Sequence, residues 1–193
     1  PIAHSLSPEL HAAAYRALGI DGVSYERIHV PRGEFEQFAR DVLPSLDGVS
    51  VTMPHKIHAH ELALAHGPHA ELGIANTLIP LGEGRHRQYA AFNTDVAGIT
   101  GALASARISG IESATLLGSG ATALSLATAL CEAGCTNFTL LARSREKLAP
   151  LESLLIRRGA RVNVGDWDRP ELSFHSDIVA SALALEGAEV VAE

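Results

Sequence analysis

The chain contains little cysteine, few aromatic residues and little basic charge. Only two of its 193 residues are cysteines, too few for the disulfide framework of a small secreted domain, so we expect a reducing, cytoplasmic setting. Fifteen Lys and Arg against 22 Asp and Glu give a net charge of −7. That balance offers no basic stripe to replace the counterions of phosphates, which argues against a nucleic-acid partner.

Long apolar runs are also absent. No segment approaches the ~20 apolar residues that a bilayer span requires, which predicts a soluble protein without a membrane partner. The hydrophobic content of 47% is enough for one core or two small ones. The only methionine is Met53, so we expect a portion of a longer chain. Because such a portion lacks the true N-terminus, the absence of a visible signal peptide is only weak evidence against secretion.

The first half of the chain has mixed helix and strand patterns. Ser7-Pro8 is typical of a helix start. Residues 23–30, "VSYERIHV", predict a strand, and residues 35–42 place apolar side chains at i, i+3, i+4 and i+7, as an amphipathic helix does. Residues 49–53 alternate as a strand does, and Pro54 is expected to end it. A helical segment and the short strands "IANTLIPL" and "RQYAAF" follow.

The second half alternates apolar strands with helices, beginning with a small-residue helix after Asp95. The alternating segments are SATLLGSG, ATALSLATALCEAG, NFTLLARS, REKLAPLESLLIRRG, ARVNVGDW and SDIVASAL. Strands that alternate with helices predict a parallel sheet. The fold class is therefore α/β, with a domain boundary near residues 95–100.

A glycine turn directly after an apolar strand indicates a nucleotide site. "LLGSGATA" has Gly118, Gly120 and Ala123 in the pattern G-x-G-x-x-A. The first glycine permits the tight turn, the second lets the backbone approach a pyrophosphate, and the small third residue lets helix and strand pack closely. The helix N-terminus offers amide groups to the phosphates. The candidate cofactor-binding residues here are Gly118, Ser119, Gly120 and Ala121.

The end of the next strand discriminates between cofactors. An NAD site usually has an acidic residue there for the ribose 2′-hydroxyl, but this strand is followed by Arg143, Ser144 and Arg145. An arginine can bind a 2′-phosphate bidentately and a serine can donate a further hydrogen bond. These three residues favour NADP, although a solvated arginine pair in a loop is the structural alternative.

Five motifs together resemble one enzyme family. In chain order they are PIAHSLSP, SVTMPHK, GIANT, FNTD and LGSGATA. In order and spacing they are similar to the shikimate dehydrogenases and their quinate-using relatives. The resemblance implies an N-terminal α/β substrate-binding domain at 1–97, lacking the family's first strand, and a Rossmann-type NADP-binding domain at 98–193, truncated at its C-terminus. It also implies NADP-linked reduction of 3-dehydroshikimate to shikimate, a step towards aromatic amino acids.

The resemblance also implies the roles of individual residues. Lys56 and Asp95 would be the catalytic pair at the reacting carbonyl. Hydride delivery to a ketone builds negative charge on oxygen, so a proton donor must lie within hydrogen-bond reach, and a lysine can be that donor. The implied substrate-binding residues are Ser5, Ser7, Thr52, Lys56, Asn76 and Asp95. The hydroxyls of Ser5 and Ser7 suit a carboxylate, although Ser7 could equally be only an N-cap.

Some residues depart from the family or invite other roles. Ser50 stands where the family usually has asparagine. The second nucleotide strand of the family often ends in Asn-Arg-Thr, whereas here Ala142 stands in place of that asparagine, before Arg143 and Ser144. A C-terminal glutamine of the family lies outside this chain. His55 is beside the lysine, but we expect it only to pack or cap. The remaining histidines of this region lack a metal-site pattern, so no metal is predicted; they are His58, His60, His66 and His69.

Two alternative functions stay open. One keeps the chemistry but prefers NAD, as a quinate/shikimate dehydrogenase, and Arg143 argues against it. The other is a non-catalytic module that binds NADP or shikimate. The presence of Lys56, Asp95, Asn76 and Thr52 argues against it. The sequence leaves open whether the protein is a monomer or a homodimer.

Overall fold

The computed structural model describes residues 2–84 and 87–183. The chain forms two compact units, Pro1–Leu46 and Asp47–Glu193. Within the described ranges, no helix has the length and the apolar composition needed to cross a membrane.

The first unit is helical. Helix α1 is Ser7–Leu18 and α2 is Phe35–Asp41, followed by a 3-10 turn at Leu43–Ser45. The predicted strand at 23–30 is wrong, because the structure has irregular backbone there. A strand needs a hydrogen-bonded neighbour, and none of the described strands pairs with this segment.

The second unit begins with a small mixed sheet in the order β1-β3-β4-β2. Its strands are β1 (Val49–Ser50), β2 (Ala65–His66), β3 (Thr77–Leu81) and β4 (Gln88–Phe92). The antiparallel pairs are β1 with β3 and β3 with β4, while β2 lies parallel to β4. Strand β1 is shorter than predicted: it ends at Ser50, before Pro54, and Met53 is 72% exposed. Helix α3 is Lys56–Leu62.

A second sheet is entirely parallel, as the alternation of strands and helices predicts, in the order β7-β6-β5-β8. Its strands are β5 (Ser113–Leu117), β6 (Asn137–Leu141), β7 (Arg161–Val164) and β8 (Ile178–Ser181). The helices of this half are α4 (Asp95–Ser105), α5 (Ala121–Glu132) and α6 (Ala149–Arg157). Pro150 lies in the first turn of α6, where a missing N–H costs nothing. The predicted α/β fold class is confirmed.

The main hydrophobic core surrounds the parallel sheet. Leu116 and Leu140 of the central strands and Leu130 of α5 are at most 1% exposed, and each contributes about 1.5–3 kcal/mol by its burial. The same cluster includes Ile74 and Val96, which precede the parallel sheet in sequence. The core therefore continues across residue 97, and the division into domains at 97 and 98 stays a prediction.

Candidate active site and nucleotide turn

Two polar side chains from different parts of the chain donate hydrogen bonds to the carboxylate of Asp95. The Lys56 Nζ donates to Asp95 Oδ2 at 2.5 Å, and the Asn76 Nδ2 donates to Asp95 Oδ1 at 2.8 Å. Lys56 is the first residue of α3, Asp95 is the first residue of α4, and Asn76 immediately precedes β3. Both oxygens of the carboxylate therefore have a donor, one of them cationic.

Antiparallel pairing places Asn76 beside Asp95. The register of β3 and β4 sets Thr77 opposite Phe92, and the backbone N–H of Asn76 donates to the Phe92 carbonyl at 3.0 Å. The Thr94 backbone N–H donates to Asn76 Oδ1 at 3.0 Å. Because a backbone N–H can only donate, the side-chain atom of Asn76 that it contacts must be the oxygen. The side-chain NH₂ group of Asn76 then faces Asp95.

A backbone hydrogen bond and burial of the side chain fix the position of Lys56. The Ala75 N–H donates to the Lys56 carbonyl at 2.8 Å, which ties the start of α3 to the segment before β3. The side chain of Lys56 is 13% exposed and that of Asp95 is 27% exposed. An exposed ion pair contributes little because water screens it, whereas this pair is partly shielded and is oriented by a third group. Such an arrangement can hold a proton donor at a fixed position.

The neighbours of Lys56 form a turn. The His55 N–H donates to the Thr52 carbonyl at 3.0 Å, and Thr52 is exposed. His55 is buried, and its ring lies 5.5 Å from the ring of His58 between centroids. The predicted packing role for His55 agrees with this burial, and its side chain does not cap α3.

Ser5 and Ser7 lie in the first unit, where α1 begins. The Ser7 N–H donates to Ser5 Oγ at 3.3 Å. Leu6, not Ser7, occupies the N-cap position, and no side chain caps the helix, so the alternative role of Ser7 as N-cap is wrong. Sequence reasoning missed Arg27, which donates from Nε to the Ser5 carbonyl at 2.9 Å and pairs with Glu9 at 2.8 Å. No local pattern indicates this contact across 22 residues.

The glycine turn has the geometry that the motif predicts. Gly118 has φ of 111°, and a Cβ there would lie 3.2 Å from the Ala182 carbonyl oxygen, so a side chain would be both strained and crowded. A Cβ at Gly120 would instead project into open space. No side chain caps α5, which leaves its first amides available to an anion. The turn therefore fits a diphosphate.

The two arginines after β6 border a surface pocket of about 350 Å³. Its lining residues are Ala142, Arg143, Arg145, Val164, Gly165, Asp166 and Trp167. Ser144 also follows β6, and the amide of Glu146 together with the Ser144 hydroxyl lowers the pKa of the Glu146 carboxyl. Sequence reasoning missed Trp167, the only tryptophan of the chain; its position just after the strand adjacent to β6 was the available signal. A pocket with two guanidinium groups and an indole suits a phosphorylated nucleoside.

Comparison with known proteins gives a consistent result. Residues 1–78 match the family model described as "Shikimate dehydrogenase substrate binding domain". The crystal structure of Mycobacterium tuberculosis shikimate dehydrogenase is 38% identical, with a TM-score of 0.81, over 100% of this chain and 72% of that one. The Thermus thermophilus enzyme, solved in complex with NADP(H) and shikimate, is 29% identical with a TM-score of 0.76, over 95% of this chain and 65% of that one.

A curated relative agrees with the solved structures. Shikimate dehydrogenase (NADP(+)) of Methanothermobacter thermautotrophicus is 35% identical over 175 residues, which is 87% of this chain and 59% of that relative. The present chain thus spans about three fifths of the length of this relative. By its motifs, its fold and these similarities, the chain belongs to the shikimate dehydrogenase family.

Proposed function

We propose that the chain belongs to an NADP-dependent shikimate dehydrogenase, an oxidoreductase that reversibly reduces 3-dehydroshikimate to shikimate in aromatic amino acid biosynthesis. The observation that carries this proposal is the contact of Lys56 with Asp95 at 2.5 Å, with Asn76 on the second carboxylate oxygen. The names of the relatives support the same activity. We further propose a cytoplasmic enzyme, as a monomer or a homodimer, with substrate-binding residues in 1–97 and a Rossmann-type cofactor domain in 98–193.

In the proposed reaction, Lys56 and Asp95 handle the proton. NADPH, when bound, supplies the hydride to the carbonyl carbon of the substrate. The Lys56 ammonium donates a proton to the carbonyl oxygen as negative charge develops there. Asp95 holds the ammonium in place and accepts a hydrogen bond from a ring hydroxyl, while Asn76 binds a hydroxyl beside it. In the reverse direction, neutral Lys56 takes the proton from the alcohol.

The hydroxyls of Ser5, Ser7 and Thr52 are proposed to bind the substrate carboxylate. Ser5 Oγ accepts the Ser7 N–H at 3.3 Å, so its own hydroxyl hydrogen is available to donate to an anion. Both serines are half-buried, which strengthens a hydrogen bond to a charged group relative to one in water. This part of the proposal concerns binding and not the chemical step.

The cofactor is proposed to bind along the carboxyl ends of β5 and β6. Gly118, Ser119, Gly120 and Ala121 would hold the pyrophosphate at the N-terminus of α5. The residues proposed for the ribose 2′-phosphate are Arg143, Ser144 and Arg145. An arginine pair at this position favours NADP over NAD electrostatically, because only NADP carries a phosphate on the ribose 2′-oxygen that the guanidinium groups can bind.

The decisive experiment is a nicotinamide absorbance assay on the full-length protein. Shikimate with NADP should give turnover, and the same assay with NAD should give a much lower kcat/KM. Quinate replaces shikimate in a parallel series. An absence of turnover with both cofactors would refute the proposed activity. A strong preference for NAD would refute the NADP dependence and the assignment of the arginine pair, and would favour an NAD-preferring quinate/shikimate dehydrogenase.

Trp167 provides a second test that does not depend on turnover. Adenosine 2′,5′-bisphosphate should change the fluorescence of this single tryptophan on binding, and adenosine 5′-monophosphate should bind more weakly. Replacing Arg143→Ala should weaken binding of the bisphosphate by about 10- to 100-fold, the usual range for a lost hydrogen bond to a charged group. Arg40→Ala, which removes an exposed arginine of α2, is the matched control. Equal affinity of the two nucleotides would contradict the 2′-phosphate site.

A further inference from the structure

Two buried polar side chains outside the proposed proton-transfer cluster bond to each other. Asn93 follows β4 and is 9% exposed, and Ser125 lies in α5 and is fully buried. The Asn93 Nδ2 lies 3.1 Å from Ser125 Oγ, and the Asp95 backbone N–H donates to Asn93 Oδ1 at 3.1 Å. Buried polar groups are costly unless they are paired. Each of these two side chains therefore depends on the other, and their hydrogen bond links β4 to α5.

The direction of each hydrogen bond follows from the donors. Because the Asp95 N–H can only donate, the atom that it contacts is the Asn93 oxygen, and the NH₂ group of Asn93 must face Ser125. Ser125 Oγ then accepts that bond. Its own proton has two acceptors within reach, the Ala121 carbonyl at 3.3 Å and Asn93 Oδ1 at 3.4 Å, and we take the nearer one, the i−4 carbonyl of the same helix. Three hydrogen bonds thus run in series from the Asp95 amide, through Asn93 and Ser125, to the Ala121 carbonyl.

The two ends of this series lie at functionally distinct places. Asp95 begins α4 and carries the carboxylate that contacts Lys56. Ala121 begins α5, directly after the Gly118–Gly120 turn. Val96 is 1% exposed and shares the hydrophobic core with Ala123 of α5, so the starts of both helices are packed as well as hydrogen-bonded. The series therefore connects the first turn of one helix to the first turn of the other.

We propose that Asn93 and Ser125 are positioning residues, which hold the Asp95 backbone in register with the start of the nucleotide-binding helix. This inference rests on the proposed function and deepens it. Neither residue is proposed to touch the substrate. Their effect acts through Asp95, because a small displacement of a carboxylate that orients a proton donor is costly in the chemical step.

The test variant is Ser125→Ala, which removes the acceptor of the Asn93 NH₂ group. Ser125→Thr keeps the hydroxyl and should restore function. Thr128→Val is the matched control: Thr128 is also fully buried in α5, and its hydroxyl has no hydrogen-bond partner in the described part of the chain. We expect Ser125→Ala to lower kcat by about 5- to 30-fold, as one lost buried hydrogen bond would, with KM for shikimate changed less than about threefold.

Hydrogen exchange at the Asp95 amide gives a readout independent of catalysis. In ¹⁵N-labelled protein, Ser125→Ala should accelerate exchange of this amide while leaving the amides in the middle of α4 near their wild-type rates. Binding of adenosine 2′,5′-bisphosphate, followed by Trp167 fluorescence, should change less than kcat does, because the Ser125 hydroxyl is fully buried and bonds to Asn93 and a helix carbonyl, not to a backbone N–H of the glycine turn. Thr128→Val should leave kcat and exchange unchanged.

The outcomes separate this inference from the proposed function. Slower turnover and faster Asp95 exchange in Ser125→Ala, with both restored in Ser125→Thr, would support it. Unchanged kcat and exchange in Ser125→Ala would overturn it, as would equal losses in Ser125→Ala and Thr128→Val, which would indicate general loosening of α5. If wild-type protein does not turn over shikimate, the proposed activity fails, but the exchange rates at Asp95 still decide whether Ser125 positions that residue.

Discussion

Replacing Lys56 by alanine removes the only ammonium that contacts Asp95 in the described part of the chain. Asp95 keeps the hydrogen bond from Asn76 Nδ2 at 2.8 Å, and its side chain is 27% exposed. The carboxylate is therefore neither unsatisfied nor cut off from water after the substitution. We expect the free energy of unfolding to fall by about 1.5–3 kcal/mol, the cost of a lost hydrogen bond to a charged group. This is below the ~5–15 kcal/mol stability of a typical domain, so the variant should fold and can be assayed.

The catalytic cost should be larger than the structural one. Proton transfer by a positioned side chain contributes about 10²- to 10⁴-fold to turnover, which corresponds to about 3–5 kcal/mol at 1.36 kcal/mol for each factor of ten. Binding of the substrate loses one hydrogen bond of about 0.5–1.5 kcal/mol, so KM should change by about tenfold or less. A fall in kcat with a small change in KM is the signature of a group that acts mainly in the transition state.

Steady-state kinetics with shikimate and NADP measure both quantities. Lys56→Arg is the informative companion variant, because arginine keeps the positive charge but remains protonated at any accessible pH. It should therefore stay at least about 100-fold below wild type if proton transfer is the role of Lys56. Lys147→Ala is the matched control, since Lys147 is the only other lysine of the chain and is exposed; its kcat should equal that of wild type.

Two results would refute this reasoning about Lys56. Wild-type kcat in Lys56→Ala would remove the lysine from the mechanism altogether. Near-wild-type turnover in Lys56→Arg would show that the positive charge beside Asp95 matters and that the transferable proton does not.

Three further predictions concern the parallel sheet and its surroundings. Gly118→Ala should destabilise the protein by about 1–3 kcal/mol, measured by urea unfolding, because of the positive φ and the nearby Ala182 carbonyl; unchanged stability would contradict the crowding. Hydrogen bonds from Ser113, first its N–H and then its hydroxyl, lower the pKa of Asp177, so this carboxylate stabilises the fold above its usual pKa of about 4 and loses that effect as the pH falls. The melting temperature of Asp177→Asn should therefore be below that of wild type at pH 7 and approach it in acid, and a constant difference would exclude the ionised group as the cause. Burial raises the pKa of Cys131 to about 11, so iodoacetamide at pH 8 should alkylate it far more slowly in native than in urea-unfolded protein, as followed by mass spectrometry; equal rates would show an accessible thiolate.

Local patterns were sufficient for most of the second half of the chain. The apolar runs that became β5 and β6 and the small-residue run that became α5 carry their own periodicity, and the glycines between β5 and α5 mark the turn. Each of these signals lies within about ten neighbouring residues. The segment at 23–30 failed for the same reason: its strand-like composition is local, whereas the partner that a strand needs is not.

Long-range contacts were decided by the tertiary structure. Lys56 and Asp95 are 39 residues apart, and the motifs alone led to their pairing only through a family resemblance. Asn93 and Ser125 are 32 residues apart, and nothing in either motif indicates their contact. The sequence by itself determined most of the helices and strands and the glycine turn, because backbone preferences and apolar periodicity act between near neighbours. Strand register and helix packing determined which side chains meet at Asp95, because those distances depend on the whole path of the chain.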